Sequence, residues 1–195
     1  MKRIGAICWL LAAAALLGAQ LVAQTGWHGT YSWANNNISD LGNVTCGPWG
    51  DNHRYVCSPL HAWLNASMIL YGALLASGAF LLRLTPLVAA AAGWIIAGVV
   101  PADVNENLHV LGAVLIIAAG NGGLILVLRS RLPSPLRMSA VVAGSSGLVA
   151  MVLFLSGHYL GLGMGGMERV AAFALPVWTI AAALHALMSS RADER

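Results

Sequence analysis

The residues of this chain that could do chemistry fall in three short runs. The first is Asn35-Asn36-Asn37-Ile38-Ser39-Asp40-Leu41-Gly42. The second runs from Asp103 through Asn105 and Glu106 to His109, and the third sets Ser156-Gly157-His158 before Glu168-Arg169 across a glycine-rich stretch. His61 and Asn65 form a smaller pair four positions apart. On one helix, Glu106 and His109 (i,i+3) and Asn105 and His109 (i,i+4) share a face. Carboxylates beside histidines offer two kinds of chemistry. Asp40 or Glu106 could orient His109 or His158 as a general acid or base, because imidazole titrates near neutrality. Alternatively, His61, His109 and His158, with Asp40, could ligate a divalent metal such as zinc that activates water. Asn37, Ser39, His61, Asn65, Asn105, Glu168 and Arg169 are the residues expected to contact substrate. There is no His-Glu-x-x-His, no Gly-x-Ser-x-Gly and a single Glu-x-x-His, so neither option follows from a motif.

Purely structural roles compete with each of these. Asp40 could cap its own loop through side-chain hydrogen bonds. Glu168 and Arg169 could form a local ion pair, or suit the first turn of a helix. His28 and His53 read as solvated loop residues, and His185 as structural.

The elements that must position these residues are overwhelmingly apolar. Of 195 residues, 58% are hydrophobic and 9% charged, where a soluble domain has about a quarter charged. Six stretches, near 4–24, 59–82, 85–101, 108–128, 138–157 and 170–188, meet or approach the roughly 20 residues that a membrane span requires. The expected fold is therefore all-α: a six-transmembrane-helix bundle forming one membrane-embedded domain over 1–195. The third stretch is the shortest, with Pro86 and Pro101 near its ends. Lys2-Arg3 before an apolar run also describes a signal peptide. The run from Ile4 to Ala23 is longer than a usual signal core, and a retained first helix is expected.

Placing these spans in a membrane sorts the charges. Lys2, Arg3, Arg83, Arg129, Arg131, Arg137, Arg191 and Arg195 share one side. Asp40, Asp51, Asp103, Glu106, Glu168 and five of the six histidines take the other. Short basic loops stay cytoplasmic, so both termini are expected in the cytoplasm, with 25–58, 102–107 and 158–169 facing outward. Only Arg54 and Arg169 break the pattern. The formal charge of +3 comes largely from the cytoplasmic loops, and no nucleic-acid partner is implied.

The long outer segment, 25–58, carries Trp27, Tyr31, Trp33, Trp49 and Tyr55, residues suited to a membrane–water interface. Cys46 and Cys57 lie in it on the oxidising side, and a disulfide between them would staple the segment over the outward mouth. Small residues inside the spans, such as Gly72, Gly120 and Gly144, read as helix packing. Asn121 reads as an interhelical hydrogen-bonding residue.

The run Asn37 to Gly42, Pro59 ahead of the second helix, His109-Val-Leu-Gly112-Ala113, and Glu168-Arg169 with Trp178 downstream resemble a bacterial family of six-helix membrane proteins of unknown function. More distantly, Ile38-Ser-Asp-x-Gly42 and His109-x-x-Gly-Ala113 are similar to the DRAM/Frag/Sfk group, which includes autophagy modulators and proteins of GPI-anchor lipid remodelling. The resemblance implies a six-helix bundle in a bacterial inner membrane and no agreed activity. The leading expectation is an enzyme, a hydrolase or transferase, that binds and modifies a lipid or isoprenoid amphiphile using Asp40, Glu106, His109 and His158. The alternatives are a non-catalytic lipid sensor, assembly subunit or small transporter component, and a proton-initiated polyprenyl cyclase.

Overall fold

The computed structural model describes residues 1–50 and 53–192. Asp51 and the tail charges Asp193, Glu194 and Arg195 lie outside them. Apart from one small hairpin the regular structure is helical: α1 (Lys2–Thr25), α2 (His61–Leu81), α3 (Val88–Val99), α4 (Glu106–Arg129), α5 (Ser134–Leu155) and α6 (Gly163–Ala192). A 3-10 turn, Thr85–Leu87, with Pro86 in it, leads into α3. All but α3 are long and apolar enough to cross a membrane; Thr85–Val99 is apolar but shorter. These helices fit a multi-pass membrane protein. Helices suit lipid because each backbone N–H and C=O is satisfied within the segment.

Successive helices pack side by side, and α6 closes the set by packing on α1. Trp9, Leu16, Leu64, Tyr71, Leu75, Trp94 and Leu175 fill the interior. The indole of Trp9 donates to the Leu75 carbonyl at 3.1 Å, tying α1 to α2. Large apolar side chains such as Leu21, Val142, Val149, Val152 and Val177 remain exposed on the outside of the bundle, the inverse of a soluble surface and suited to lipid contact.

Two contacts fix α4. A Cβ on Gly93 would lie 2.6 Å from the Gly112 carbonyl, so the backbones of α3 and α4 touch where a larger residue would part them. Deeper in the bundle, Asn121 Nδ2 donates to the Ala171 carbonyl at 2.9 Å, the interhelical bond expected of it. Between these points, Leu115–Ala119 forms a π-helical turn, a rare irregularity that often marks a functional site.

The outer segment is more ordered than its sequence suggests. Gly47–Trp49 (β1) and Arg54–Val56 (β2) pair antiparallel, Gly47 with Val56 and Trp49 with Arg54. The expected disulfide joins Cys46 to Cys57, one step beyond the Gly47–Val56 pair, and so closes the open end of the hairpin. Asp103, between α3 and α4, accepts hydrogen bonds from Val44 N (3.1 Å), Thr45 N (2.7 Å) and Thr45 Oγ1 (2.7 Å). The turn after α3 and the segment after α1 therefore meet at one end. Lys2, Arg83, Arg129 and Arg131 line a common cavity elsewhere, at the ends of α1, α2 and α4 that lack described acids.

Candidate functional site

The cap built from the outer segment is keyed to the start of α6. That helix begins at Gly163, earlier than the apolar stretch near 170 implies, so Glu168 and Arg169 sit in its second turn. Gly165 N donates to the Ala34 carbonyl at 2.7 Å, and a Cβ on Gly165 would collide with the Asn36 carbonyl. Only glycine lets the cap lie so close.

Arg169 is 7% exposed, and the two terminal nitrogens of its guanidinium are engaged largely by the cap, while Nε has no partner among the described residues. Nη1 donates to the carbonyls of Trp33 (3.0 Å), Asn36 (2.7 Å) and Gly165 (2.8 Å), and Nη2 donates to the Tyr31 hydroxyl. The same group stacks 4.7 Å from the Trp33 ring centroid. Charge-assisted bonds combined with stacking suit arginine and not lysine. Burial pushes the Tyr31 phenol up to about 12, against the opposing pull of the Arg169 charge. Next to Arg169, Glu168 Oε2 accepts the Ile38 N–H at 2.5 Å. Two consecutive residues of α6 thus hold opposite polarities of one strip of cap backbone.

Asp40 is fully buried in the 3-10 turn Ser39–Gly42. Its carboxylate accepts Arg54 Nε on Oδ2 at 2.9 Å and Nη2 on Oδ1 at 2.5 Å, and Oδ2 also accepts Asn37 N at 2.9 Å. Ser58 Oγ donates to Leu41 O (2.8 Å) and Asn65 Nδ2 to Gly42 O (2.9 Å), which anchors the turn to the start of α2. These bonds commit the Asp40 and Asn65 side chains to contacts that hold the cap in place. At the edge of the cap, burial would raise the Asp103 carboxyl, but the Thr45 and Val44 donors outweigh it and hold the group below its usual range.

One cavity of about 40 Å³ lies beneath this cap. Ser39, Trp94, His109 and Glu168 supply its polar lining, and Met68, Ile116 and Ile117 are among its apolar walls. Ile116 and Ile117 belong to the π turn. His109, 9% exposed, donates Nδ1–H to the Val100 carbonyl at 2.8 Å, which leaves Nε2 as the acceptor of the neutral ring. Trp94 Nε1 is buried with no hydrogen-bond partner among the described residues. The lining residues thus carry an acceptor on His109, a carboxyl on Glu168 that already accepts the Ile38 N–H, and an unpartnered donor on Trp94.

The other expected site residues are not assembled there. Asn105 is the N-cap of α4, its side chain accepting Leu108 N at 3.1 Å with an extended backbone. Glu106 follows it at i,i+3 from His109 on the same helix, but Glu106 is exposed and His109 buried, so the cavity takes only His109. His158 is exposed past the end of α5, its Nδ1 bonded to the Ser156 carbonyl at 2.9 Å. His61 begins α2 and bonds the Ser58 carbonyl at 3.0 Å. The proposed metal set of His61, His109 and His158 is thus divided among the ends of three helices. Among the described residues no group of three His, Cys, Asp or Glu could hold a metal ion. The cavity pairs His109 with Glu168, one ligand short of the three that a catalytic zinc takes from its protein, so no step is assigned to a metal.

No family model, curated protein or solved structure matches this chain. Its function must be argued from the geometry alone. Arg54, Tyr31, Trp33 and Trp94 are the participants that motif spacing did not single out. The sign available for Arg54, as for Arg169, was its position on the side of the membrane where basic residues are otherwise missing.

Proposed function

We propose that this protein is a six-span inner-membrane bundle with cytoplasmic termini, which binds the head group of a lipid or isoprenoid amphiphile at the outward cavity and modifies it by acid–base chemistry. The shared lining of His109 and Glu168, on different helices beneath the cap, carries the proposal. A volume of about 40 Å³ accepts one small functional group, since a water-sized occupant needs roughly 10–15 Å³. A hydroxyl or amine enters while the chain stays in lipid; an enclosed polyprenyl chain, as a cyclase needs, is far larger. His109 Nε2 takes the proton of a hydroxyl or water as that oxygen bonds to the head group. Glu168 in its protonated form gives its own proton to the oxygen whose bond breaks, and Trp94 Nε1 donates to the oxygen on which charge develops.

The six-span count is supported by α3 itself. Arg83 precedes it among the basic loops, and Asp103 follows it in contact with the cap. Its short apolar length therefore connects opposite ends of the bundle. The Cys46–Cys57 disulfide favours an oxidising, outward location for the cap.

The test is turnover of a bacterial lipid extract by the full-length protein in nanodiscs, followed by mass spectrometry. Replacing His109 with alanine or Glu168 with glutamine is expected to slow product formation by about 10²–10⁴-fold while the protein stays folded. Folded variants that turn over lipid at the parental rate would overturn the proposal, as would the absence of any product. A non-catalytic sensor or assembly subunit is the second reading. It is favoured by the engagement of Asp40 and Arg169 with the cap, and it predicts bound lipid without product.

A further inference from the structure

At the opposite end of the bundle lies a second cavity, of about 1010 Å³. Lys2 of α1, Arg83 after α2, Arg129 at the end of α4 and Arg131 beyond it line it together. The described acids Asp40, Asp103, Glu106 and Glu168 all belong to the cap, to the turn after α3 or to the outer ends of α4 and α6, so none neutralises this group. Trp9, Leu82 and Leu132 are among its apolar walls, beside the polar Ser130, His185 and Ser189. Concentrated positive charge around an apolar cleft at helix ends complements an anionic head group with its acyl chains attached.

Arg83 gives a second, independent sign. Helix α2 ends in a Schellman motif, with Leu84 N bonded to Ala79 O (2.7 Å) and Arg83 N to Phe80 O (3.2 Å). Arg83 occupies the left-handed position of that motif at φ 59°, which glycine fills without steric cost. An arginine there is conformationally unfavourable, and it brings a charge into the cavity. Local strain of this kind is typical of ligand clamps.

We propose that this cavity is a binding site for an anionic phospholipid, its phosphodiester held by Arg83, Arg129 and Arg131 and its chains laid against the apolar wall. The site is separate from the outward cavity, and its occupancy does not depend on the chemistry proposed there.

The full-length protein in neutral detergent is titrated with dioctanoyl phosphatidylglycerol, dioctanoyl phosphatidylcholine or inorganic phosphate, with native mass spectrometry and thermal shift as readouts. Phosphatidylglycerol is expected to bind at least about tenfold more tightly than phosphatidylcholine and to weaken with added salt. Replacing Arg83, Arg129 and Arg131 with glutamine is expected to cost on the order of fivefold in affinity per charge removed. R83G separates binding from folding. It should raise the melting temperature of the lipid-free protein, by relieving the left-handed arginine, and at the same time weaken phosphatidylglycerol binding. Equal binding of the two lipids, a full shift from inorganic phosphate alone, or parental affinity in R83G would overturn the site.

Discussion

Arg54 grips Asp40 at two points, Nε on Oδ2 at 2.9 Å and Nη2 on Oδ1 at 2.5 Å, joining the hairpin to the 3-10 turn fourteen residues before it. The Asp40 side chain has no exposed surface, and that of Arg54 is 16% exposed. Removing one partner of a buried pair leaves the other charged and uncompensated.

Asp40→Asn is therefore expected to destabilise the protein by about 3–5 kcal/mol, read as a lower melting temperature in detergent. Arg54→Gln should fall in the same direction, and the double variant should lose less than the sum of the two. An Asp40→Asn protein that melts like the parent but turns over no lipid would return Asp40 to the catalytic role its sequence suggested.

Much of the architecture was legible because apolar length and proline position are local signals. The stretches near 59–82 and 85–101, for instance, contain α2 and the short α3 with its leading turn. The hairpin was not, since strands of three residues are too short to show alternation. Among the site residues, His109 and Glu168 were named from sequence, the first for acid–base chemistry and the second for substrate contact, and both line the cavity. Glu106 and His109 do share one helix, but Glu106 is exposed at its first residue while His109 is buried, and Asn105, with a φ of −153°, is the cap. The most useful overlooked signal was the pair of exceptions to the charge sorting. Arg54 and Arg169 are the two arginines that hold the cap, and their charges are met by Asp40 and by backbone carbonyls.

The disulfide closes the hairpin at the edge of the same cap. Replacing Cys46 and Cys57 together with serine should lower stability by ~2–4 kcal/mol. Proteolysis of the outer segment should accelerate in parallel, and reducing agent should reproduce both effects in the parent and neither in the variant. An unchanged melting temperature would show that the Asp40–Arg54 pair and the Arg169 hydrogen bonds hold the cap without it.

Asp103 makes the cap sensitive to acid. Its folded carboxyl is held below the ordinary value of 3.8, so its contribution is present above that value and is lost as pH falls through the folded-state pKa. Melting temperatures measured down an acid series should decline less steeply in Asp103→Asn than in the parent. Parallel curves would remove Asp103 from the account.

Tyr31 acts at the opposite extreme. Its pKa is raised from 10.0 to about 12 in the folded protein. The associated stability is complete below about pH 10 and is lost as pH rises toward about 12. The phenolate absorbance difference between the parent and Tyr31→Phe should appear near the upper value. A difference that titrates with the exposed tyrosines would contradict the burial of this ring beside Arg169.

The π turn at Leu115–Ala119 holds one residue more than a regular helix would need there. Each residue advances an α-helix by about 100°, so the surplus sets the angular phase of Glu106–Val114 relative to Gly120–Leu126. Asn121 can then stay committed to α6 while His109 faces the cavity, a combination that a uniform helix could not provide. Deleting one residue within 115–119 would remove the surplus and keep the two halves of α4 in phase, whereas winding the same residues as a uniform α-helix would rotate its first half by about that angle. In that uniform helix His109 would leave the cavity although every side chain around it remained. The site is thus encoded partly as a length, and the count of residues in one turn matters as much as their identity.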